Sequence, residues 1–293
     1  MKKKILLIGI LFCLVVSGSS QTSSLYRKIN SITRDKNATV GVAVIWDNGD
    51  TLTVNNNREY PMLSVVKFHL SLGVLHFLEQ NCISPDTLIH VSSRDLLPDT
   101  YSPLRDLYPQ GGIEISVKEL LYYSIVLSDN NTCDILFRFV GGVPYIHKYI
   151  DSLGIPDIII QADEEGLHRS FDHQYLNTTT PHATARLVDK LLKKEMLSAE
   201  HHRILMELMT ETATGTDKLK ALLPENAILG HKTGSSSRNT EGLKAADNDI
   251  GFIIKPDGRY YSIAVFVMDS MESDEVNAAI IAEISKAVYD HIP

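Results

Sequence analysis

The chain has 293 residues, 44% apolar and 22% charged, an ordinary globular composition that can bury a large core and excludes a disordered chain. Its formal charge of −8 argues against a nucleic-acid partner, because phosphate binding wants a basic surface. No internal repeat, low-complexity stretch or long linker divides it.

Residues 1–20 combine a basic start (Lys2, Lys3, Lys4), an apolar run from Ile5 to Val16 and a small-residue exit (Ser17, Gly18, Ser19, Ser20). This pattern predicts a secretory signal peptide cleaved near Ser20, hence a periplasmic protein without stable membrane association. The run is shorter than the roughly 20 apolar residues of a membrane anchor. Ile10, Leu11 and Phe12 before Cys13 lack the small residues of a lipidation site. Cleavage removes three lysines and leaves a net charge of −11. Of the remaining cysteines, Cys82 reads as a loop residue and Cys133 as part of an apolar helix, so both are expected to be free thiols.

Residues 23–36 are helix-compatible. The β-branched run Thr39 to Trp46, the dipeptide Asn48-Gly49 and the segment Thr51 to Val54 predict a hairpin, because Asn-Gly supplies the positive φ angles of a tight turn. From Ser64 to Leu78 the sequence is apolar nearly all round, the signature of a buried helix. Helical spacing predicts further helices over 117–127, 131–140, 143–152, 182–194 and 199–212. Strands are expected at Ala227 to Lys232, Phe252 to Lys255 and Tyr260 to Met268, the last two joined by Pro256-Asp257-Gly258. A final helix places Val276, Ile280, Ile284 and Val288 on one face. Strands at both chain ends with helices between them predict an α+β fold: one antiparallel sheet assembled from the two ends, a helical domain inserted in the middle, and a cleft between. The expected division is 21–62 with 213–293 for the sheet domain and 63–212 for the helical one.

Three short motifs carry the chemistry. Ser64-Val65-Val66-Lys67 sets a hydroxyl and an amine three residues apart, on one helix face, with the serine at the positive end of the helix dipole. A lysine on a buried helix needs partners, and a serine needs a base to become a nucleophile. Ser128-Asp129-Asn130 lies between two predicted helices, where its residue types also suit a cap. Lys232-Thr233-Gly234 ends a predicted strand: an ammonium and a hydroxyl for an anionic ligand, and a glycine that lets the ligand approach the backbone. Each occurs once, in fixed order.

Together the motifs resemble the signature set of class A serine β-lactamases, which penicillin-binding proteins share, and the likeness runs from about Ser23 to Pro293. The resemblance implies a five-stranded antiparallel sheet flanked by helices plus an all-helical domain. It also implies opening of β-lactam rings by attack of Ser64. Lys67 would be a candidate base, and the N–H groups of Ser64 and Ser235 would form the oxyanion hole. Ser128 would pass a proton to the leaving nitrogen. Asn130 would hold Lys67 and the substrate amide; Lys232, Thr233, Gly234 and Ser235 would line the carboxylate site. Tyr101 would border the cleft, and Lys218 stands where some branches carry a carboxylate-binding arginine.

A β-lactamase differs from a penicillin-trapped peptidase in having a carboxylate that activates water. The family usually shows Glu-x-x-x-Asn; here Glu164 fits the base, with Asp163 and Glu165 as rivals, and His168 replaces the asparagine. His168 resembles the cephalosporinase and extended-spectrum branch. The usual Arg-to-Asp staple of this Ω-loop is expected to be missing, because the matching positions read Ala162 and Asn177. No His-x-His-x-Asp or His-Glu-x-x-His spacing points to a metal, so no cofactor is expected, and a monomer is the default.

Overall fold

The computed structural model describes residues 16–291, so most of the segment read as a signal peptide lies outside the described residues. In chain order the elements are α1 (Val16–Thr33), β1 (Thr39–Trp46), β2 (Thr51–Val54), β3 (Tyr60–Pro61), α2 (Val66–Gln80), β4 (Leu88–Ser92), α3 (Pro103–Leu107) and β5 (Gly111–Ser116). Then follow α4 (Val117–Ile125), α5 (Asn130–Phe139), α6 (Val143–Ser152), β6 (Ile158–Ile159), α7 (Glu164–Leu167), β7 (Thr178–Thr179), α8 (Pro181–Leu192) and α9 (Ala199–Thr210). The chain closes with β8 (Ile228–Ser235), β9 (Lys244–Ile254), β10 (Tyr260–Ser270) and α10 (Asp274–His291).

The main sheet is five-stranded and antiparallel, in the order β2-β1-β10-β9-β8. Its two faces are visible in β1, where alternate side chains point opposite ways. Val40, Val42, Val44 and Trp46 pack in one core with Leu25 and Ile29 of α1 and Ile280, Ile284 and Val288 of α10. Ala43 and Ile45 join the other core, with α8 and the helices that follow α2. The expected hairpin turn is present, with Gly49 at φ 88°.

Three expectations need correction. The helix read from Ser64 begins at Val66, and Ser64 sits in a 3₁₀ turn, Leu63–Val65, that leads into it. The strand read as ending at Lys232 runs on to Ser235, so Lys232-Thr233-Gly234 lies inside β8, where Thr233 pairs with Asp249 and Ser235 with Asp247 of β9. The strand read from Phe252 starts eight residues earlier at Lys244, through Ala246-Asp247-Asn248-Asp249, a run with poor β-propensity. These side chains are buried and find partners within and beyond the strand: Lys244 Nζ reaches Asp247 at 2.8 Å, His231 Nδ1 lies 3.0 Å from Asp249, and Asn248 Nδ2 donates to the Pro61 carbonyl at 2.8 Å. The β4/β5 hairpin was not anticipated either; its half-exposed alternation lies beside Gly111, whose φ of 59° and contact with Ser92 leave no space for a side chain.

Cys82 is exposed and Cys133 buried, and both are free thiols. Among the described residues no helix is long and apolar enough to cross a membrane.

Candidate active site

Ser64 is presented by the short turn before α2, immediately after Leu63, which takes the left-handed φ of 47° that a leucine rarely adopts. The turn rests on β8. A Cβ added to Gly234 would lie 2.4 Å from the Met62 carbonyl oxygen and 3.2 Å from the Ser64 nitrogen. The glycine expected to admit a ligand is instead packed against the turn that carries Ser64.

Lys67, one turn on, is fully buried. Its ammonium reaches Ser64 Oγ at 2.9 Å, the Ser128 carbonyl at 2.9 Å and Asn130 Oδ1 at 2.5 Å. Those acceptors use the three hydrogens of the ammonium. Glu164 Oε1, 2.9 Å away, adds the compensating charge without a directed hydrogen bond. A buried ammonium without such a set would cost several kcal/mol, on the order of the penalty for desolvating one ion.

Ser128 also has positive φ, 59°, which aims its carbonyl at Lys67 while its Oγ accepts from Lys232 Nζ at 2.9 Å. One serine thus joins two buried lysines. Burial and the ammonium of Lys67 push the Lys232 ammonium well below the usual lysine range, against the pull of Glu164 and Asp249. Asp129 is structural: it caps α5 by accepting from Thr132 N at 2.9 Å, and it also accepts from Leu104 N at 2.7 Å and from Ser102 Oγ. Asn130 spends one amide hydrogen on Thr100 Oγ1 at 2.8 Å, leaving the other for a ligand.

Glu164 opens α7 and is 4% exposed. It is placed by Asp134, a residue the sequence did not single out: Asp134 accepts from Glu164 N at 2.7 Å and from Glu165 N at 3.0 Å. Burial, with the carboxylates of Glu164 and Asp163 nearby, raises the Asp134 carboxyl to about 7. Asp163 caps α7 through Gly166 N, and Glu165 is exposed. His168 Nδ1 lies 2.6 Å from the Glu164 carbonyl, so it donates there, and it stays 3.8 Å from Glu164 Oε2.

The segment lacks the ionic staple, and an amide replaces it. Asn177 Oδ1 accepts from Gln161 N at 2.8 Å and from Ala162 N at 3.0 Å, and its Nδ2 donates to the Ala162 carbonyl at 2.8 Å. Asn177→Leu is expected to leave these backbone groups unpaired and to cost about 2 to 4 kcal/mol. Thermal melts followed by circular dichroism check this; an unchanged midpoint would remove the staple from the account.

These groups face a cavity of about 370 Å³ lined by Ser64, Thr100, Tyr101, Asn130, Glu164, His168 and Ser235 to Ser237, with Leu63, Asp99, Leu167 and Gln174 completing the wall. Tyr101 is 58% exposed at its rim. Ser128, Lys232, Thr233 and Gly234 are not part of the wall: Lys232 Nζ reaches Ser128 Oγ, and Thr233 Oγ1 lies 2.8 Å from Thr214 Oγ1. Lys218, expected to bind substrate carboxylate, is not among the lining residues. Its ammonium is buried against Asp247, which β9 supplies opposite Ser235, and that charge captures it. Thr100, Asp134 and Gln174 escaped the sequence reading because nothing in their local pattern marks them. His69, at full burial, bonds the Val65 carbonyl at 3.2 Å through Nδ1, and burial lowers its pKa to about 4. Among the described residues no group of three or more His, Cys, Asp or Glu side chains is placed to hold a metal ion.

Comparison with known proteins gives the same family at every level. The profile of the β-lactamase enzyme family matches residues 24–292. A β-lactamase of Bacteroides uniformis is 46% identical over 273 residues, 93% of this chain and 92% of that protein. β-Lactamase VEB-1 of Pseudomonas aeruginosa is 38% identical over 99% of this chain and 97% of its own length. The crystal structure of TLA-3 extended-spectrum β-lactamase superimposes with a TM-score of 0.91 at 47% identity, covering 92% of this chain and 98% of the other. A class A β-lactamase from Bacteroides cellulosilyticus gives 0.89 at 48% identity over 92% of this chain and 98% of the other. Motifs, sheet order, site geometry and relatives agree: the chain belongs to the β-lactamase enzyme family, in its class A.

Proposed function

We propose that this enzyme hydrolyses penicillins and cephalosporins through an acyl-enzyme on Ser64, with Glu164 as the base that activates water. The observation that carries the reading is the single buried ammonium of Lys67, in contact with both Ser64 Oγ and Glu164 Oε1 at 2.9 Å. Its relatives bearing the name extended-spectrum β-lactamase support oxyimino cephalosporins among the substrates.

In acylation Lys67 first sheds a proton to Glu164, and its free amine then takes the Oγ proton as Oγ attacks the lactam carbonyl; once Ser128 has protonated the ring nitrogen, Lys67 restores the Ser128 proton and Glu164 returns its own to Lys67, so both start deacylation as they began. The N–H groups of Ser64 and Ser235 receive the developing oxyanion. The C–N bond breaks as Ser128 Oγ hands its proton to the ring nitrogen, with Lys232 holding that hydroxyl at 2.9 Å. In deacylation water adds to the acyl carbonyl, Glu164 takes its proton, and the C–Oγ bond breaks with return of a proton to Ser64. Asn130 and His168 flank the substrate's side-chain amide, Tyr101 borders it, and Ser235, at the end of the Thr233-Gly234 run of β8, receives its carboxylate.

The leader pattern of residues 1–20 supports export and action in the periplasm. The position of the cleft supports two working domains, 21–62 with 213–293 and 63–212. Purified enzyme is expected to turn over a chromogenic cephalosporin steadily, at about 1 to 10³ per second. A stoichiometric burst without steady turnover would assign it to the penicillin-trapped peptidases instead.

A further inference from the structure

Glu164 faces two cavities. Beyond the substrate cavity lies a second, of about 300 Å³, walled by Leu97, Pro98, Asp134, Glu165 and Arg169. Asp99, Thr100, Glu164 and His168 line both and form the partition between them. Two of these are held in place: Thr100 Oγ1 by the Asn130 amide at 2.8 Å, and the His168 ring by the Glu164 carbonyl at 2.6 Å. Of the partition residues only Glu164 carries a carboxylate joined to the nucleophile through Lys67.

Resting on the hydrolytic reading above, we propose that this second cavity is the entry route by which water reaches Glu164 while the acyl group fills the substrate cavity. Hydrolysis of an acyl-enzyme needs water at a base that the bound acyl group covers from the Ser64 side. A route on the other side of Glu164 removes that conflict. The wall chemistry selects for water. Asp99, Glu164 and Glu165 line the wall with Arg169 there, so carboxylates outnumber the one arginine. Penicillins and cephalosporins carry a carboxylate, and like charges in a partly desolvated wall repel it, whereas neutral water enters freely.

The test narrows the route without touching the groups that react. Pro98 and Arg169 are exposed, and neither side chain makes a hydrogen bond or ion pair. Pro98→Trp and Arg169→Trp are made separately, and each is checked for the wild-type circular dichroism melt. Acyl-enzyme formed with a cephalosporin is freed of excess substrate, and the decay of the covalent adduct is followed by intact mass. The expected result is decay about 10-fold or more slower in both variants, with the acylation rate and kcat/KM within about twofold of wild type, because kcat and KM fall together. Arg169→Ala, which widens the opening, should leave decay as fast as in wild type. Unchanged decay in both tryptophan variants would overturn the proposal, as would a rise in KM at unchanged decay, which would make the cavity a substrate side-chain subsite. Failure of the parent reading looks different: wild-type adduct would itself persist.

Discussion

Glu164→Gln is expected to acylate at Ser64 and then stall, so that the intact protein carries the mass of one opened β-lactam long after substrate is removed. The amide keeps the size of the glutamate but cannot accept a proton at neutral pH. Loss of a positioned general base costs about 10² to 10⁴ in rate, which corresponds to roughly 3 to 5 kcal/mol on the deacylation barrier. Acylation should slow less, because Lys67 remains 2.9 Å from Ser64 Oγ. The neighbouring acids are poor substitutes: Asp163 is occupied in capping α7 and Glu165 is exposed. Unimpaired steady-state turnover of the variant would move the role to one of them.

Gly234→Ala should cost the enzyme both activity and stability, although it adds one methyl group. That methyl would meet the Met62 carbonyl oxygen at 2.4 Å, Val65 N at 3.0 Å and Ser64 N at 3.2 Å, all backbone atoms that cannot swing aside. The turn bearing Ser64 must then move away from β8, on the order of 1 Å, and a displacement of that size costs about 10²-fold in kcat/KM. Overpacking of this kind costs about 1 to 3 kcal/mol, or roughly 2 to 4 °C of melting temperature per kcal/mol in a chain of this size. Thermal melts and kcat/KM with a chromogenic cephalosporin check both halves. Native activity in a folded Gly234→Ala protein would contradict the close approach of β8 and the nucleophile turn.

Much of the architecture was legible because its signals are local. The β1/β2 hairpin carries β-branched runs on either side of Asn48-Gly49, and helices α5, α6, α8 and α9 start and stop within two residues of their expected bounds. β9 was only half legible. Its first half is Lys-Ala-Ala-Asp-Asn-Asp, which no strand propensity favours, and it becomes a central strand only because Lys218, His231 and the Pro61 carbonyl wait for those polar groups in the folded chain.

The site divides in the same way. The sequence by itself picked out the candidate reacting groups, Ser64, Lys67, Ser128 and Asn130, with Glu164 as one of three neighbouring acids, because a nucleophile, its base and its proton donor must be particular residue types at particular spacings. Only the tertiary structure decided how those groups are held and charged. Asp134, 30 residues from Glu164, holds the backbone of that carboxylate. Asn177, 15 residues from Ala162, staples the loop in place of an ion pair. Asp247, 29 residues from Lys218, withdraws that lysine from the substrate cavity. Each of these is a pairing of buried polar groups whose strength comes from exclusion of water, and exclusion of water is a property of the packed chain rather than of any stretch of it.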